Sequence, residues 1–475
     1  MDEVLIIGAG PVGLMLACEL GLAGVRPIVL DKRPEPADIP KANGLVGQIV
    51  ELLDHRGLLE RLSEGSPFSG RAPGFPFGAV PLTFAGLDDI PLRLLLIQQP
   101  RLEQLLAERA LELGAEIRRG CEVRSLAQDE EGVTLDTTRG ELRARYVVGC
   151  DGGNSRVREC LGIGFPGDTE EEGLLVGHFK AEARTFESLE QDGLEPGWTR
   201  RPNGRLLLTS LRDGVLVAGV RERGDLPEGP VSLDDFRAAV HRVLGRELPL
   251  EEPIWMSSTR AQARLAERYR DGRVFLAGDA AHLFPAGGSA LNAGMTDAVN
   301  LSWKLAARLR GRAGDRLLET YEAERRPAGE RTLLQARAQS AIDRVEGEDG
   351  AALRALLGEV FAFEQPLRYL AGLLHGADTS YGTADHPLVG RFAPELVLAD
   401  GRRLAELMRR GRPVLLDLGG GAVLDDDWID VVRARADDPP ADTLLIRPDG
   451  YIAWAGADGL AEAVREMRGL TASPA

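Results

Sequence analysis

The amino-acid sequence predicts an α/β fold built around a parallel sheet, and three observations support this class. A short apolar, β-branched run at residues 4–10 leads at once into a glycine-rich turn and a helical stretch. Two later apolar runs, which end at Cys150 and Ala277, each lead into an Asp-Gly or Gly-Asp pair. Strands that are apolar throughout are typical of parallel sheets, because helices cover both faces of such sheets.

The bulk composition excludes several classes of protein. The 475 residues are enough for about three domains, and 44% of them are hydrophobic, as in globular chains. The formal net charge of −17 argues against nucleic acid as a partner, because phosphate binding needs a basic surface. No apolar run could span a membrane and no signal peptide is recognisable, so we expect a cytoplasmic protein. The 4 cysteines form no CxxC pair and no metal-ligand spacing, so we expect reduced thiols and no metal.

The first turn reads GAGPVG, and Gly8, Gly10 and Gly13 have the spacing of a dinucleotide-binding fingerprint. The first glycine permits a tight turn, the second lets the backbone approach a pyrophosphate, and the third lets helix and strand pack closely. The helix predicted at Pro11–Leu22 presents free N–H groups and a positive dipole end to the phosphates. Asp31, which ends the second strand, can accept hydrogen bonds from a ribose. The spacing does not distinguish FAD from NAD.

Two polar side chains farther along are candidates for the same site. Lys41 lies just before a predicted helix, and the alternative is that it is an ordinary solvated lysine. Gln99 lies where a predicted strand enters a helix at Pro100. Its amide can therefore reach phosphate or ribityl oxygens, or it can cap the helix.

Two carboxylates, Asp151 and Asp279, follow predicted strands directly, where they can accept hydrogen bonds from the hydroxyls of a polyol. Ser155 is predicted to cap the helix after Asp151, and Arg158 can pair with Asp151 or with a ligand. Two such turns, together with the first glycine turn, are more than one NAD molecule requires. His282, close to the second turn, is interpreted as a structural hydrogen-bonding group rather than a catalyst.

The remaining chain divides into three patterned regions. Strand-like stretches and one helical stretch near Leu233–Val243 occupy residues 173–255. Helical patterns dominate from Asn292 to Leu374, and the charges of YEAERR at Tyr321–Arg326 are interpreted as a solvated face. The last region contains two predicted strands joined by a Pro-Asp-Gly turn.

Together these motifs resemble the FAD-dependent aromatic hydroxylases, the single-component flavoprotein monooxygenases typified by p-hydroxybenzoate hydroxylase. The resemblance rests on GAGPVG at 8–13, CDGGNSRVR at 150–158 and the stretch at 274–306 that contains GDAAH and DAVNLSWKLA. It extends over nearly the whole chain. Within the family, the chain is similar to the branch that modifies polyketides in antibiotic biosynthesis or resistance, such as the polyketide hydroxylases and rifampicin monooxygenase.

The resemblance implies a division into domains. A substrate-binding mixed sheet made of residues 75–96 and 173–271 is expected to be inserted into a Rossmann-like FAD-binding domain. Residues 386–475 correspond to a thioredoxin-like domain, which here contains no cysteine and therefore cannot perform dithiol chemistry, so we expect a structural or dimer-contacting role. The FAD-binding domain, with its long helices, is expected to comprise residues 1–74, 97–172 and 272–385.

The resemblance also implies the site residues. Asp31 corresponds to the ribose ligand, Gln99 to a ligand of the diphosphate–ribityl region, and Asp279 to a ribityl or pyrophosphate ligand. Asp151 and Arg158 belong to a motif shared between FAD and NAD(P)H binding. Weaker substrate candidates, for which sheet packing is the alternative, are Phe179, Trp198, Arg200 and Met256. The expected cofactor-binding residues are Gly8, Gly10, Pro11, Val12, Gly13, Asp31, Lys32, Lys41, Gln99, Val123, Asp151, Asp279, Pro285, Gly287, Ala290, Leu291 and Asn292.

The implied activity is hydroxylation of a phenolic or polyketide-type aromatic molecule, with consumption of NAD(P)H and O₂, through a flavin C4a-hydroperoxide. The flavin carries the chemistry in such an enzyme, so no catalytic side chain is assigned. Two alternatives stay open: a Baeyer–Villiger or ring-opening oxygenation on the same scaffold, and a protein that binds flavin and polyketide without turnover. The protein is expected to be a monomer or a homodimer.

Two departures from the family pattern concern the flavin-facing part of the chain. Lys41 stands where the family usually has arginine, and an ammonium cannot reproduce the fork of a guanidinium. The loop after His282 is one residue shorter than usual and reads Gly-Gly-Ser-Ala at 287–290. The shape of the loop beside the flavin is therefore expected to differ from that of the family.

Overall fold

A computed structural model gives the fold of the chain. It describes residues 1–38, 41–87, 92–182, 189, 193–194, 196–212, 214–250, 252–285, 289–382 and 386–470. Within these ranges no helix is both long and apolar enough to cross a membrane, and no group of acidic, histidine or cysteine side chains could hold a metal ion.

Both helices and strands are present throughout the described ranges, as an α/β fold requires. The strands are β1 (Asp2–Ile7), β2 (Ile28–Asp31), β3 (Leu45–Val46), β4 (Ser69–Arg71), β5 (Gly74–Phe77), β6 (Val80–Thr83), β7 (Arg93–Leu95), β8 (Glu116–Arg119), β9 (Val123–Gln128), β10 (Val133–Thr137), β11 (Gly140–Gly149), β12 (Gly167–Lys180), β13 (Gly197–Arg201), β14 (Gly204–Arg212), β15 (Val215–Arg223), β16 (Pro253–Leu265), β17 (Arg270–Asp271), β18 (Val274–Leu276), β19 (His282–Leu283), β20 (Val414–Asp417), β21 (Asp430–Arg433), β22 (Thr443–Ile446) and β23 (Ile452–Ala455). The α-helices are α1 (Pro11–Leu22), α2 (Gln48–His55), α3 (Leu59–Ser63), α4 (Gln99–Glu112), α5 (Arg156–Cys160), α6 (Leu233–Leu244), α7 (Ser289–Leu309), α8 (Arg316–Arg344), α9 (Gly347–Phe361), α10 (Glu364–His375), α11 (Leu404–Leu407) and α12 (Leu460–Met467).

The largest sheet has the strand order β17-β18-β11-β1-β2-β8, and the hairpin of β9 and β10 extends it from β11. Its central strands β18, β11, β1, β2 and β8 run parallel. Residues 4–7 of β1 are buried, and α1 packs against both α4 and α7 beside this sheet. The helix predicted at Pro11–Leu22 is confirmed at both ends. The carboxyl ends of β1, β11 and β18 meet at one edge of the sheet, which is where the candidate ligands follow.

A second, antiparallel sheet has the order β13-β14-β15-β12-β16-β19. Helix α6 covers one face, where Phe236, Ala239 and Val240 pack against alternate residues of β12, β14 and β15. Ser232 caps this helix, because its hydroxyl accepts a hydrogen bond from the Asp235 N–H while the Asp235 carboxylate accepts one from the Ser232 N–H. The last strand, β19, belongs to the segment between the Gly278-Asp279 turn and α7, so the second sheet adjoins the edge at which the candidate ligands lie.

The segment 75–96 does not extend this second sheet, contrary to the division expected from the sequence. Strands β5 and β6 pair only with each other in the described part of the chain, and β7 pairs with β3 and β4. The hairpin packs through Phe77 and Leu82 against Leu367 and Leu370 of α10. The β5–β6 hairpin therefore packs on a helix from a distant part of the sequence, a contact that strand patterning alone does not reveal.

The C-terminal region forms a four-stranded mixed sheet with the order β21-β20-β22-β23. Strands β20 and β21 are parallel, whereas the β20–β22 and β22–β23 pairs are antiparallel. One side of this sheet shares a hydrophobic cluster with helices α7 and α8. In this cluster Trp303 and Leu317 pack with Leu415 and Trp428. The C-terminal domain is thus docked through a common core.

Candidate cofactor and active site

The first glycine turn is shaped for close backbone packing and leaves open space above it. A Cβ on Gly8, whose φ is +109°, would lie 2.3 Å from the Cys150 carbonyl oxygen, and one on Gly13 would lie 2.0 Å from that of Gly8. A Cβ on Gly10 would meet nothing within 4 Å. Pro11 begins α1 directly behind this space, so the first N–H groups of the helix point toward it without intrahelical partners. The geometry fits a pyrophosphate above Gly10.

Asp31 is buried, and part of its hydrogen-bonding capacity is used inside the protein. Its carboxylate accepts hydrogen bonds of 2.8 Å from both the Ala9 and the Arg33 N–H groups, and it pairs with the Arg33 guanidinium. Burial opposes ionisation, but these bonds and the Arg33 charge hold the pKa of Asp31 below its ordinary value. Lys32 is exposed, so Arg33, which the sequence motif did not single out, is the basic residue beside this carboxylate. Val123 is buried at the start of β9.

Gln99 lies in the first turn of α4, as predicted, but its amide is engaged. The Gln99 side chain donates a hydrogen bond of 2.8 Å to Glu103, and its N–H donates to the Ala42 carbonyl. Burial raises the pKa of Glu103. The second Glu103 oxygen and the Arg119 Nη1 are buried without a hydrogen-bond partner in the described ranges. These two unsatisfied groups lie near Asp31 and had no motif that could have identified them from the sequence.

Asp151 and Arg158 both act within the protein. The Asp151 carboxylate accepts hydrogen bonds from the Ser155 hydroxyl (2.5 Å) and the Val157 N–H (3.1 Å), and burial raises its pKa. Ser155 in turn accepts a hydrogen bond from the Arg158 N–H, which confirms the predicted cap of α5.

Arg158 joins the two strand-end turns. Its guanidinium donates to the Gly153 carbonyl (2.7 Å) and to the Ala280 carbonyl (2.9 Å), and it lies 3.8 Å from the centre of the Phe165 ring. It therefore connects the turn after β11 to the turn after β18 rather than pairing directly with Asp151.

Asp279 is the carboxylate best placed for a ligand. It is exposed to solvent and accepts no hydrogen bond from any residue that the structure describes. Desolvation by the surrounding protein nevertheless raises its pKa, against the opposing charges of His282 and Lys41. An exposed carboxylate that has no described protein partner is free to accept hydrogen bonds, which fits a site for the hydroxyl groups of a cofactor. Lys41 is exposed and close enough to act on Asp279 electrostatically.

Three elements meet directly behind Asp279. A Cβ on Gly278 would lie 2.9 Å from Val12 Cγ2, and one on Gly294 would lie 2.9 Å from the Gly278 Cα and 2.8 Å from Val12 Cγ2. The small residues therefore let α1, the Gly278-Asp279 turn and α7 approach to backbone contact. Of the expected cofactor-binding residues, the first turn, Asp279 and the start of α7 are brought together in this way.

The start of α7 forms the other wall of the site. The N–H groups of its first turn, which includes Ala290, Leu291 and Asn292, have no partner within the helix. The Asn292 side-chain oxygen accepts a hydrogen bond of 3.0 Å from the Val46 N–H, which fixes this turn against β3. Pro285 is buried, whereas Gly287 lies outside the described residues. The positive end of a 21-residue helix thus faces the cleft.

A buried charge cluster supports these elements from below. Asp297 has no exposed surface, pairs with His282 Nε2 at 2.8 Å and with Arg325 Nε at 2.7 Å, and accepts a hydrogen bond from the Gly278 N–H. His282 is therefore a structural hydrogen-bonding group, as predicted. The interpretation of YEAERR as a solvated face is wrong, because Arg325 is 5% exposed and Glu324 is ion-paired with Lys304. Helix packing turns these charges inward.

The substrate candidates divide between the two faces of the second sheet. Phe179 is 1% exposed and packs edge-on against Phe236 of α6, so it is a core residue and not a cavity wall. Met256 belongs to the same covered face. Trp198 pairs with Leu207 and Arg200 with Arg205, which places both on the opposite face. There Arg200 donates to the Asp343 carbonyl (2.7 Å), which joins the sheet to α8.

The glycine turn, the unpartnered carboxylate and the helix N-terminus lie at one cleft of an α/β fold, and family models give the class of protein to which this fold belongs. A model described as a FAD binding domain matches residues 1–336, and one described as an aromatic-ring hydroxylase C-terminal domain matches residues 386–472. The chain belongs to the FAD-dependent aromatic-ring hydroxylases.

Individual relatives are similar over almost their full length. The chain is 42% identical to a 12-dehydrotetracycline 5-monooxygenase/anhydrotetracycline 6-monooxygenase of Streptomyces rimosus, over 98% of this chain and 99% of that relative. It is 41% identical to a rifampicin monooxygenase of Streptomyces venezuelae, over 96% of each chain. It is 39% identical to a dialkyldecalin synthase of Streptomyces rugosporus, over 99% of this chain and all of that relative.

A solved structure has the same fold. The OxyS anhydrotetracycline hydroxylase from Streptomyces rimosus superposes with a TM-score of 0.87 and 41% identity, over 98% of this chain and 99% of that chain. This similarity confirms the predicted α/β class with its FAD-binding fold and the predicted family.

Proposed function

We propose that the chain catalyses the NAD(P)H- and O₂-dependent hydroxylation of an aromatic, polyketide-type molecule. The observation that carries this proposal is Asp279, an exposed carboxylate without a described protein partner where α1, the turn after β18 and α7 converge. The names of the tetracycline and rifampicin monooxygenases among the relatives support polyketides as the substrate class.

FAD, when bound, supplies the chemistry, namely electrons taken from NAD(P)H and the transfer of one oxygen atom from O₂ to an electron-rich ring. We propose that the backbone at Gly10 and the first turn of α1 bind the pyrophosphate and that Asp31 accepts hydrogen bonds from the ribose. Asp279 would accept hydrogen bonds from the ribityl hydroxyls. The N–H groups around Leu291 and Asn292 would stabilise negative charge at the edge of the reduced ring.

The part proposed for Asp151 and Arg158 is positioning. Because Arg158 bonds to carbonyls of both strand-end turns, it keeps the cleft wall at Gly153 in register with Ala280. NAD(P)H would approach the cleft along this wall. The exposed Trp198 and the neighbouring Arg200, on the sheet face that α6 leaves uncovered, are the proposed contacts for an aromatic substrate.

The test is a comparison of Asp279→Asn with Asp136→Asn, which removes a charge from an exposed side chain of β10 that has no described hydrogen bond or ion pair. Loss of a charged hydrogen bond to the cofactor should weaken FAD binding by about tenfold or more in Asp279→Asn only. In the unchanged protein, phenolic or polyketide compounds should stimulate NADPH oxidation, and label from ¹⁸O₂ should appear in the product. Stimulation without label in the product would refute the hydroxylation.

A second candidate function is a cyclisation without net redox change on the same flavin-binding scaffold. The 39% identity to a dialkyldecalin synthase over 99% of this chain favours it specifically. A cyclase would convert its substrate to an isomer of unchanged mass when NAD(P)H is omitted. A monooxygenase would leave the substrate unchanged under that condition, so the appearance of a compound with the same mass but a different chromatographic retention separates the two candidates.

A further inference from the structure

The turn between β3 and α2 bonds to the start of α7 on one side and to the C-terminal domain on the other. The Val46 N–H donates a hydrogen bond of 3.0 Å to the Asn292 side chain. The Gln48 side chain accepts a hydrogen bond of 3.0 Å from the Tyr451 hydroxyl and donates one of 3.0 Å to the Gly376 carbonyl. A tyrosine of the C-terminal domain is therefore connected, through one short turn, to the helix start that faces the cleft.

The packing beside this turn is incomplete. A cavity of about 80 Å³ is lined by Val46 and Gln48 from the turn and by Asn292 and Arg325 from α7 and α8. The turn and the start of α7 are thus only partly packed against each other, and hydrogen bonds hold their spacing. Loss of one of these bonds is therefore expected to shift the turn.

Tyr451 is itself firmly placed. It is 4% exposed, and its ring stacks on that of Tyr381, with centroids 4.0 Å apart and planes inclined by 29°. The Tyr381 hydroxyl accepts a hydrogen bond of 2.7 Å from Arg325, which also donates to the Ala293 carbonyl near the start of α7. Burial raises the pKa of the Tyr451 hydroxyl well above its ordinary value, so the hydroxyl remains a donor. Tyr451 thus supports the start of α7 through Gln48 and through Tyr381.

We propose that Tyr451 is a positioning residue for the flavin cleft, and that its hydroxyl acts through Gln48 on the N–H groups at the start of α7. The inference rests on the proposed function, in which these N–H groups stabilise negative charge on the reduced ring of FAD. Without the hydroxyl, the buried Gln48 oxygen loses its described donor, and the turn shifts relative to the cleft. Neither the names of the family models nor those of the relatives assign such a part to the C-terminal domain.

Anaerobic redox titration of the FAD-loaded protein tests the proposal, because a contact that only stabilises the fold leaves the reduction potential of bound FAD unchanged. In Tyr451→Phe the ring and its stack on Tyr381 remain, and only the hydroxyl is lost. We expect the ratio of reduced to oxidised FAD at a given potential to fall about tenfold, which corresponds to about 30 mV for two electrons. Tyr146→Phe is the control, because this tyrosine of β11 is 2% exposed and its hydroxyl has no described hydrogen bond. The potential of the control should equal that of the unchanged protein.

A second variant tests the route of the effect. Gln48→Leu breaks the same hydrogen bond from the FAD-binding side and should lower the ratio at least as much, because it also removes the bond to Gly376. Since the hydroxyl acts through Gln48, the double variant should match Gln48→Leu alone. Summed shifts in the double variant, or equal potentials in Tyr451→Phe and Tyr146→Phe, would overturn the proposal. Absence of FAD from the unchanged protein would instead contradict the proposed function.

Discussion

At the residue scale, the candidate site depends on charges that have no contact with solvent. The Asp297 carboxylate accepts a hydrogen bond from the Gly278 N–H and pairs with both His282 and Arg325. Arg325 also donates a hydrogen bond of 2.7 Å to the Tyr381 hydroxyl. Burial alone would raise the pKa of Asp297, but the Arg325 and His282 charges lower it below the ordinary carboxyl value. The turn that carries Asp279 is therefore fixed by an ionised carboxylate beneath it.

The first prediction concerns Asp297→Asn. It should lower the free energy of unfolding at neutral pH by about 3–5 kcal/mol, because it leaves Arg325 buried without its anion. The folded-state pKa of Asp297 is depressed, so its contribution is present above the ordinary carboxyl pKa and is lost as pH falls through the folded value. Urea unfolding at neutral and acid pH measures both effects.

Asp136→Asn is the control for this prediction. Since Asp136 is exposed on β10, the change should stay within about 0.5 kcal/mol. A cost for Asp297→Asn that is equally small, or that does not shrink toward acid pH, would contradict the proposed support of the turn.

A second prediction concerns Glu51, which lies 3.7 Å from His375 in the contact between α2 and α10. Burial raises the pKa of Glu51 from 4.5 to about 8 and lowers that of His375 from 6.5 to about 4. The folded state therefore binds the Glu51 proton more tightly than the unfolded state, and stability falls as pH rises from about 4.5 toward 8. Glu51→Gln mimics the protonated form. It should match the unchanged protein at pH near 4.5 and exceed it by about 2 kcal/mol at pH 8.

Chemical denaturation at the two pH values checks this prediction, with Glu60→Gln at an exposed position of α3 as the control. A Glu51→Gln variant that is destabilised at pH 8 would show that the ionised carboxylate is the stabilising form.

At the element scale, what places the cleft is the contact among α1, the Gly278-Asp279 turn and α7. The sequence predicted α1 at its observed bounds because a glycine turn, a proline and an apolar run coincide there. It predicted Asp151 and Asp279 at strand ends for the same local reasons. It could not predict that Gly294 contacts Gly278, or that β5 and β6 pack on α10, because these contacts join distant segments.

The third prediction tests this contact with Gly294→Ala. The added methyl group would lie 2.8 Å from Val12 Cγ2 and 2.9 Å from the Gly278 Cα, so α7 must move away from the turn. We expect a lower fraction of bound FAD, measured from the flavin absorbance of the purified protein. Gly358→Ala is the matched control, because in the last turn of α9 its Cβ would meet nothing within 4 Å. That change should stabilise the protein by about 0.5–1 kcal/mol. Unchanged FAD content in Gly294→Ala would show that the approach of the two backbones is not required.

At the scale of the whole molecule, the C-terminal domain is joined to the FAD-binding domain by buried charges as well as by apolar contacts. The Pro-Asp-Gly turn was predicted from the sequence as a link between two strands, and strands β22 and β23 confirm it. The sequence did not indicate where in the molecule this turn packs. Arg447 pairs with Glu324 of α8 at 2.7 Å and with Asp449 at 2.6 Å. Asp449 in turn accepts hydrogen bonds from Asn300 and Trp303 of α7, so the turn is inserted between the two helices.

We call the contact of Arg447 and Asp449 with α7 and α8 the seam between the two domains. A further buried salt bridge supports it. Arg56 pairs with Glu19 of α1 at 2.8 Å and donates to the Pro448 carbonyl at 2.7 Å, although both charged side chains are almost fully buried. Breaking a pair of this kind leaves an uncompensated buried charge, which is strongly destabilising. Because α7 and α8 carry both the seam and the Asp297 cluster, we expect the two domains to unfold together.

The fourth prediction tests that cooperativity with Arg447→Gln. Loss of the guanidinium leaves Glu324 with Lys304, whose pKa burial lowers to about 8, as its remaining ionic partner in the described ranges. The free energy of unfolding should therefore fall by about 3–5 kcal/mol, whereas Arg402→Gln, at an exposed position, should change it by less than about 0.5 kcal/mol. Thermal melting followed by flavin release and by far-ultraviolet circular dichroism should shift to the same lower temperature in the Arg447 variant. If an early transition instead appeared in circular dichroism while the flavin stayed bound, the C-terminal domain would be unfolding alone, and the buried charges of the seam would serve docking without coupling the domains.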